Sequence, residues 1–222
     1  MPDTDSLAEL AQAVQGCAGC DLYRDATQAV FGRGCADAGV VLLGEQPGDV
    51  EDRRGEPFVG PAGKVLRRAL DEAGIAEGET YLTNVVKHFR WRKDPRGGKR
   101  RIHQRPDAGQ IAACRPWWQA EVRLLRPEIL VALGATAGEA LFGRSFRVGA
   151  TRGTVLAWPV PPEWEGTGVD EIRVVPTIHP SAVLRAPDQD EAFGGLVGDL
   201  RSVARLLAEQ RRPARRGAKS SA

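Results

Sequence analysis

Four cysteines are the first residues in this sequence that could support specific chemistry. Cys17 and Cys20 form a Cys-x-x-Cys pair, while Cys35 and Cys114 lie further along the chain. Four thiolates could bind zinc, and three thiolates with a histidine could bind an iron-sulfur cluster. Free cysteine is also common as a small core residue, so Cys35 and Cys114 stay open between ligand and core positions.

A basic segment at 87–105 is the second candidate. It carries nine basic residues against the single acid Asp94, a net charge of +8 in a chain whose total is +2. The segment also holds two adjacent glycines, the aromatic residues Phe89 and Trp91, and His103. Positive charge attracts phosphates and aromatic rings stack on bases, so the pattern indicates nucleic-acid binding. Composition alone would make His103 a solvated residue of a phosphate-binding loop.

The overall composition is typical of a globular protein. Hydrophobic residues make up 42% of the 222 residues and charged residues 27%, which excludes a disordered chain. There is no uncharged apolar run of the roughly 20 residues needed to span a bilayer, and the acidic N-terminus does not resemble a signal peptide. We therefore expect a cytoplasmic protein without a membrane partner, in which disulfides are rare.

Alternating apolar patterns predict the elements that must position these residues. Short apolar runs predict strands at 39–43, 80–86, 128–133 and 173–178. Helical spacing predicts helices at 6–15, 61–74, 107–125, 136–142 and 188–209. Pro116 is expected to interrupt the third of these helices. Strands alternating with helices imply an α/β fold with three layers, α/β/α, around a short, mainly parallel central sheet.

The same patterns predict the domain boundaries and the position of the site. A single domain covers residues 1–208, with the basic segment as a loop, and 209–222 is a disordered basic tail. In mainly parallel sheets, sites form at the carboxyl ends of strands. The segments that follow predicted strands are 44–48, the basic segment after Asn84, and 179–181.

Several motifs, taken in order, resemble a family-four-type uracil-DNA glycosylase. They are Gly44-Glu-Gln-Pro-Gly48, Gly55-Glu-Pro-Phe-Val-Gly-Pro-Ala-Gly63, Thr83-Asn-Val-Val-Lys87, Cys114-Arg-Pro-Trp117 and His179-Pro-Ser181. Two features differ from ordinary members: His88 stands where they carry a cysteine, and Lys99-Arg-Arg-Ile-His103 is inserted. Both features are similar to the UdgX branch, which is known for remaining covalently joined to DNA through the histidine of this loop.

The resemblance implies a 4Fe-4S cluster as cofactor and a uracil-DNA glycosylase-like fold. By position, the cluster ligands would be Cys17, Cys20, His88 and Cys114. Cys35 then becomes a spare thiol.

The resemblance also implies four catalytic residues, His103, Glu45, His179 and Gln46. His179 would donate a hydrogen bond to the uracil oxygen where negative charge gathers. Glu45 stands where the family places the carboxylate that activates water, and here it would orient His103 for attack on the sugar. Gln46 would help to position His103 or the base.

For binding, the resemblance implies a uracil pocket formed by Gly44, Gln46, Asp49, Phe58, Asn84 and His179. Phe58 would stack on the uracil ring, although a core aromatic is the plainer interpretation. Asn84 would donate and accept at the uracil edge, which mismatches cytosine.

DNA phosphates would be contacted by Lys99, Arg100, Arg101, Arg105 and Ser181. The partner is then uracil-containing DNA, single-stranded or double-stranded, and the protein is expected to act as a monomer.

Three hypotheses about function follow. In the first, the protein excises uracil and then forms a stable adduct with the abasic sugar through His103, in a single turnover. In the second, it is a conventional family-four glycosylase with repeated turnover. In the third, it is a non-catalytic DNA-binding iron-sulfur protein.

Overall fold

The structure, a computed structural model, describes residues 1–164 and 169–211. Its strands there are β1 (Arg33–Gly34), β2 (Val40–Gly44), β3 (Thr80–Asn84), β4 (Trp91–Lys93), β5 (Arg101–His103), β6 (Ile129–Leu133), β7 (Leu156–Pro159) and β8 (Glu171–Thr177). Its α-helices are α1 (Leu7–Ala13), α2 (Asp49–Arg54), α3 (Pro61–Ala73), α4 (Ala108–Leu125), α5 (Ala135–Phe142), α6 (Val148–Thr151), α7 (Pro180–Val183) and α8 (Gln189–Arg211).

Six of these strands form one sheet in the order β1-β3-β2-β6-β8-β7. The four central strands, β3, β2, β6 and β8, are parallel to one another, and both edge strands are antiparallel to their neighbours. Every residue of β2 and of β6 is buried. Continuous apolar sequence is what a strand needs when helices cover both faces of its sheet. The prediction of a mainly parallel central sheet is confirmed.

The helices bury apolar side chains on both faces of the sheet. On one face, Leu10 of α1 and Trp118 of α4 belong to a core cluster with Val41 of β2. On the other, Leu66 of α3 and Leu200 of α8 belong to a second cluster with β2 and β6 side chains. Alternate residues of each strand point to opposite clusters, as the two-residue period of a strand requires. The three-layer α/β/α prediction is confirmed.

The predicted interruption of a helix at Pro116 is wrong, because α4 continues through it without a break. A proline inside a helix removes one backbone hydrogen bond and costs about 3 kcal/mol. Burial of Trp117 and Trp118 directly after the proline offsets that cost. The start of α4 is fixed by a capping box in which Asp107 and Gln110 bond each other's backbone N–H.

The basic segment is a β-hairpin, not the loop that the sequence predicted. Strands β4 and β5 pair antiparallel, with Trp91 opposite His103. The turn between them contains Gly97 and Gly98, whose φ angles of 86° and 97° suit glycine. His103 therefore lies at the end of a strand, where the backbone is fixed.

The C-terminal helix α8 ends at Arg211, two residues beyond the predicted helix end at 209, so it includes the first three residues of the predicted tail. The rest of the predicted tail, 212–222, lies outside the described residues. None of the helices in the described part of the chain is both long and apolar enough to cross a bilayer.

Candidate active site

A pocket of about 760 Å³ opens at the carboxyl ends of the central strands. Residues that follow β2, β3, β6 and β8 meet there because parallel strands end at the same edge of a sheet. The pocket brings together nine of the predicted residues: Glu45, Gln46, Asp49, Phe58, Asn84, His103, Arg105, His179 and Ser181. The side chains of Lys99, Arg100 and Arg101 are not part of its lining.

His103 and Glu45 face each other in this pocket. Nε2 of His103 lies 3.4 Å from Oε1 of Glu45, and the imidazole packs at an angle against Phe89, with 5.9 Å between ring centroids. Burial lowers the pKa of His103; the Glu45 carboxylate opposes this shift, and the charge of Arg185 adds to it. The imidazole is therefore neutral at neutral pH and has a lone pair available for attack.

His179 is also held neutral, and the structure fixes its tautomer. Burial lowers its pKa to about 4, with further lowering by His103 and Arg185. The backbone N–H of Ser181 donates to Nδ1 of His179 at 3.1 Å, so the ring proton lies on Nε2. The hydroxyl of Ser181 also lies 2.8 Å from Nδ1. Ser181 thus orients His179, a different role from the phosphate contact expected for it.

Asn84 has a buried acceptor that no described residue satisfies. The residue is 3% exposed, and its Oδ1 has no hydrogen-bond partner. Gly44 lies directly behind it: a Cβ at Gly44 would stand 2.4 Å from Oδ1 of Asn84 and 2.7 Å from the ring of Phe58. Gly44 is not among the residues that line the pocket, and its lack of a side chain leaves room for Asn84 and Phe58, which do line it.

Phe58 presents its ring from a strained backbone conformation. Its φ of 55° is left-handed, which costs an aromatic residue about 1–3 kcal/mol. Arg67 donates to the Phe58 carbonyl at 2.9 Å, and only a glycine at position 63 can approach that carbonyl so closely. The ring lies 6.3 Å from the ring of His179, with 29° between the planes. Phe58 is therefore a fixed aromatic surface in the pocket wall.

Gln46 holds the base of the hairpin. Its Nε2 donates to the carbonyls of Arg90 and Gln104, and its Oε1 accepts from the N–H of Arg90. Both amide protons are used in these bonds. Gln46 is thus placed to position His103, one residue before Gln104, and its amide has no proton left for a base.

Arg101 does not have the free guanidinium expected of a phosphate contact. It is paired with Asp49 through Nε and with Asp52 through Nη1, at 2.6 Å in the second case. Its guanidinium also lies 5.3 Å from the ring centroids of Phe89 and Trp91. With only 11% of its side chain exposed, Arg101 anchors the hairpin to α2. Asp49 lines the pocket, but its carboxylate is paired with Arg101.

The other three predicted phosphate contacts fall into two groups. Arg105 donates through Nε to Thr136 and pairs through Nη2 with Glu139 at 2.6 Å. Lys99 and Arg100 lie exposed at the hairpin turn, and neither side chain has an ion pair within the described ranges. Of the residues predicted to contact phosphates, Lys99 and Arg100 are therefore the two that keep a positive charge without an ion pair in the described part of the chain.

Thr136 also lines the pocket, although no sequence motif singled it out. Its hydroxyl donates to Oε2 of Glu45, and the residue is 3% exposed. Thr136 follows β6, so the carboxyl-end rule that singled out three other segments would have found it.

Three of the four proposed cluster ligands share one neighbourhood. Cys17 and Cys20 are both close enough to Cys114 to raise its pKa, although burial is the main cause of a value of about 12. Trp117 donates its Nε1–H to the sulfur of Cys17 at 3.3 Å, and the backbone N–H of Lys87 donates to Cys114 at 3.2 Å. Such N–H donors favour thiolates bound to metal.

His88, the fourth proposed ligand, is not brought to these thiols by any contact in the described residues. His88 is 4% exposed. Burial lowers the pKa of its imidazole, and the charge of the Asp52 carboxylate opposes this lowering. No three His, Cys, Asp or Glu side chains within 1–164 and 169–211 are close enough together to hold a metal ion. Thiols are suitable ligands for an iron-sulfur cluster, but within the described residues they do not form a complete ligand set.

Comparison with known proteins adds independent findings. The sequence pattern of the Uracil DNA glycosylase superfamily matches residues 31–201. The chain is 34% identical to a type-4 uracil-DNA glycosylase of Thermotoga maritima, over 79% of this chain and 82% of the relative. It is 33% identical to that of Sulfurisphaera tokodaii, over 83% and 78%, and 30% identical to that of Archaeoglobus fulgidus, over 85% and 88%.

Proposed function

Because the chain belongs to the uracil-DNA glycosylase superfamily, we propose that it excises uracil from DNA and then stays covalently joined to the abasic sugar through His103. Excision is what the type-4 relatives are named for. The covalent step is the finer part of the proposal, and it rests on the position and charge state of His103. A conventional type-4 enzyme, in which Glu45 activates water, is the second candidate.

The observation that carries the uracil assignment is the unpaired Oδ1 of Asn84. A buried acceptor without a partner costs about 1–3 kcal/mol, so a ligand donor at this position binds with a corresponding advantage. Uracil offers an N3–H donor beside its O4 acceptor, and the amide of Asn84 complements both. Cytosine has a lone pair at N3, which would face Oδ1 and be repelled.

Two neutral histidines and one carboxylate suit the charges that develop during excision. When the bond between N1 and C1′ breaks, its electron pair leaves with uracil and the sugar becomes cationic. His179 has a proton on Nε2 to donate to the uracil oxygen, and its neutral state avoids a fixed positive charge beside the cationic sugar. Phe58 offers a ring for the flipped base, and Glu45 places negative charge near C1′.

Capture requires a nucleophile at the position where water would otherwise attack. A ring nitrogen of His103 donates its lone pair to C1′, a C–N bond forms, and the other ring nitrogen gives up its proton to solvent. The support is that the His103 imidazole is neutral, lies 3.4 Å from Glu45, and is held by a hairpin fixed at both Gln46 and Arg101.

The test is a single-stranded oligonucleotide containing one uracil, mixed with the protein and run on a denaturing gel. The proposal predicts released uracil together with a boiling-resistant protein-DNA band. Released uracil with many turnovers and no band supports the conventional enzyme, and neither product supports a non-catalytic DNA-binding protein. His103→Ser should lose the band and keep uracil release, while the matched hairpin variant Lys93→Ser keeps both. A band that survived in His103→Ser would reject the nucleophile.

We also propose that Cys17, Cys20 and Cys114 bind a 4Fe-4S cluster, with His88 as the fourth ligand. The cluster would supply a structural link between the N-terminal segment and the start of the hairpin. Support comes from the shared neighbourhood of the thiols and the two N–H donors to their sulfurs. Iron and sulfide analysis should find a cluster that is lost in Cys114→Ser and kept in His88→Cys. Loss of iron in the control Cys35→Ser would reject this ligand set.

A further inference from the structure

The Glu45 carboxylate is held from the side opposite His103. One oxygen, Oε1, faces His103, and the other, Oε2, accepts a hydrogen bond from the hydroxyl of Thr136. Thr136 is the second residue of α5, which begins directly after β6, the neighbour of β2 in the sheet. Two adjacent strand ends therefore bring these side chains into contact.

The direction of this hydrogen bond follows from the donors around it. Nε of Arg105 lies 3.1 Å from Oγ1 of Thr136, and a guanidinium only donates. The Thr136 oxygen thus accepts from Arg105, and its single proton goes to Glu45. Arg105 is itself held by Glu139, one turn further along α5, at 2.6 Å. The direction of both hydrogen bonds is therefore fixed: Arg105 donates to Thr136, and Thr136 donates to Glu45.

Helix capping does not explain the Thr136 hydroxyl. The N-cap of α5 is Gly134, and no side chain caps this helix. Core packing does not explain it either, since the buried hydroxyl points to a carboxylate that lines the pocket. In this structure the hydroxyl accepts from Arg105 and donates to Glu45.

We propose that Thr136 is a positioning residue for the reaction, acting through Glu45. A glutamate side chain has several rotamers, and one strong hydrogen bond to its carboxylate restricts it to the rotamer in which Oε1 faces His103 and the sugar. The inference rests on the proposed function, because it takes Glu45 as the carboxylate that serves the sugar and His103.

The first test compares three variants by their rate of uracil release with enzyme in excess over a uracil-containing oligonucleotide. Thr136→Val keeps the shape and removes the donor, and the rate should fall about tenfold to a hundredfold. Thr136→Ser keeps the donor and should stay within about threefold of the parent. The matched control is Thr80→Val, a buried threonine whose hydroxyl bonds the Glu77 carbonyl at the opposite end of the sheet. Equal rates for Thr136→Val and this control would overturn the inference.

A double-mutant cycle tests whether the effect passes through the carboxylate. In a Glu45→Gln background, Thr136→Val should change the remaining rate by less than about twofold. A drop in rate of the same size in both backgrounds would show that Thr136 supports some other part of the pocket. Affinity for an oligonucleotide with 2′-fluoro-deoxyuridine, which binds without being cleaved, should not change in Thr136→Val.

An NMR measurement separates this inference from the proposed function. The chain has three histidines, so each imidazole can be followed alone as pH is varied. The charged groups acting on His103 are Glu45 and Arg185, and it also acts on His179. In Thr136→Val, the pH midpoint of the His103 titration should fall because Glu45 turns away from the imidazole. In Thr136→Ser, this midpoint should return to the parental value. If the parent protein releases no uracil, the proposed function fails, while an unchanged His103 midpoint in Thr136→Val would still reject the positioning role.

Discussion

The basic residues between Asn84 and Arg105 fall into two groups, those paired with a carboxylate and those without an ion pair among the described residues. In the paired group, Lys87 is completely buried, and its ammonium donates to Glu121, the hydroxyl of Thr83 and the carbonyl of Asn84. In the unpaired group, Lys99 and Arg100 lie exposed at the hairpin turn without ion pairs among the described residues. The difference teaches that a carboxylate supplied by the fold decides whether a basic residue serves structure or is left for DNA.

The same difference divides the basic segment as a whole. Four of its nine basic residues have carboxylate partners elsewhere in the fold: Lys87 with Glu121, Arg90 with Asp107, Arg101 with Asp49 and Asp52, and Arg105 with Glu139. The remaining five surround the hairpin turn: Arg92, Lys93, Arg96, Lys99 and Arg100. The number of basic residues available to bind phosphates is therefore smaller than the net charge of this segment suggests.

The strongest test of the comparison is Lys87→Met. Removing the ammonium leaves the Glu121 carboxylate buried and uncompensated, and we expect the free energy of unfolding to drop by about 3–5 kcal/mol. Urea unfolding measures this directly. The control is Arg100→Met, an equal loss of charge at an exposed position, which should change stability by about 0.5 kcal/mol or less. Similar destabilisation in both variants would show that the paired and unpaired groups do not differ in their contribution to stability.

Arg101 lies between these extremes, since it belongs to the exposed hairpin but is paired like Lys87. In Arg101→Lys, one ammonium replaces a guanidinium that reaches both Asp49 and Asp52, so the hairpin should open more often. Trypsin should then cleave the hairpin about tenfold faster. Arg100→Lys is the matched control, because it keeps the same number of trypsin sites, and its cleavage rate should stay at the parental value. No acceleration in Arg101→Lys would mean that these two ion pairs do not anchor the hairpin.

The positions of the pocket residues were predictable from the sequence, and the contacts of their side chains were not. Apolar runs located the strands, and the carboxyl-end rule then placed Glu45, Asn84 and His179 at one edge. Pairings such as Arg101 with Asp52, 49 residues apart, depend on tertiary packing that no local pattern records. The hairpin was missed for a related reason, because its strands of three residues are too short to show a period.

The unpaired residues at the hairpin turn should matter for DNA and not for stability. In the double variant Lys99→Ser/Arg100→Ser, the slope of log affinity against log salt should fall by about 0.7 for each phosphate of a single strand that the protein no longer neutralises. Fluorescence anisotropy with a labelled oligonucleotide at several salt concentrations measures the slope. A parental slope in the double variant would show that these two charges do not reach the phosphates, and the paired and unpaired groups would then differ in structure alone.

The smallest effect is expected for Arg185, a basic residue that lines the pocket. It is exposed like Arg100, and its charge lowers the pKa of both His103 and His179, after burial as the main cause. In the proposed reaction the neutral imidazole of His179 donates to the uracil oxygen, so the rate of uracil release should hold steady below pH 6.5 and fall as pH approaches its depressed pKa of about 4. The free energy of unfolding depends on pH in the same direction. As pH falls, the histidines of the unfolded chain bind protons before those of the folded protein, so this stability is full above pH 6.5 and declines between 6.5 and about 4.

In Arg185→Ala, the pKa values of His103 and His179 should both rise, and the acid limb of the rate profile should move toward neutral pH by less than about one unit. An unmoved limb would mean that burial alone keeps these histidines neutral.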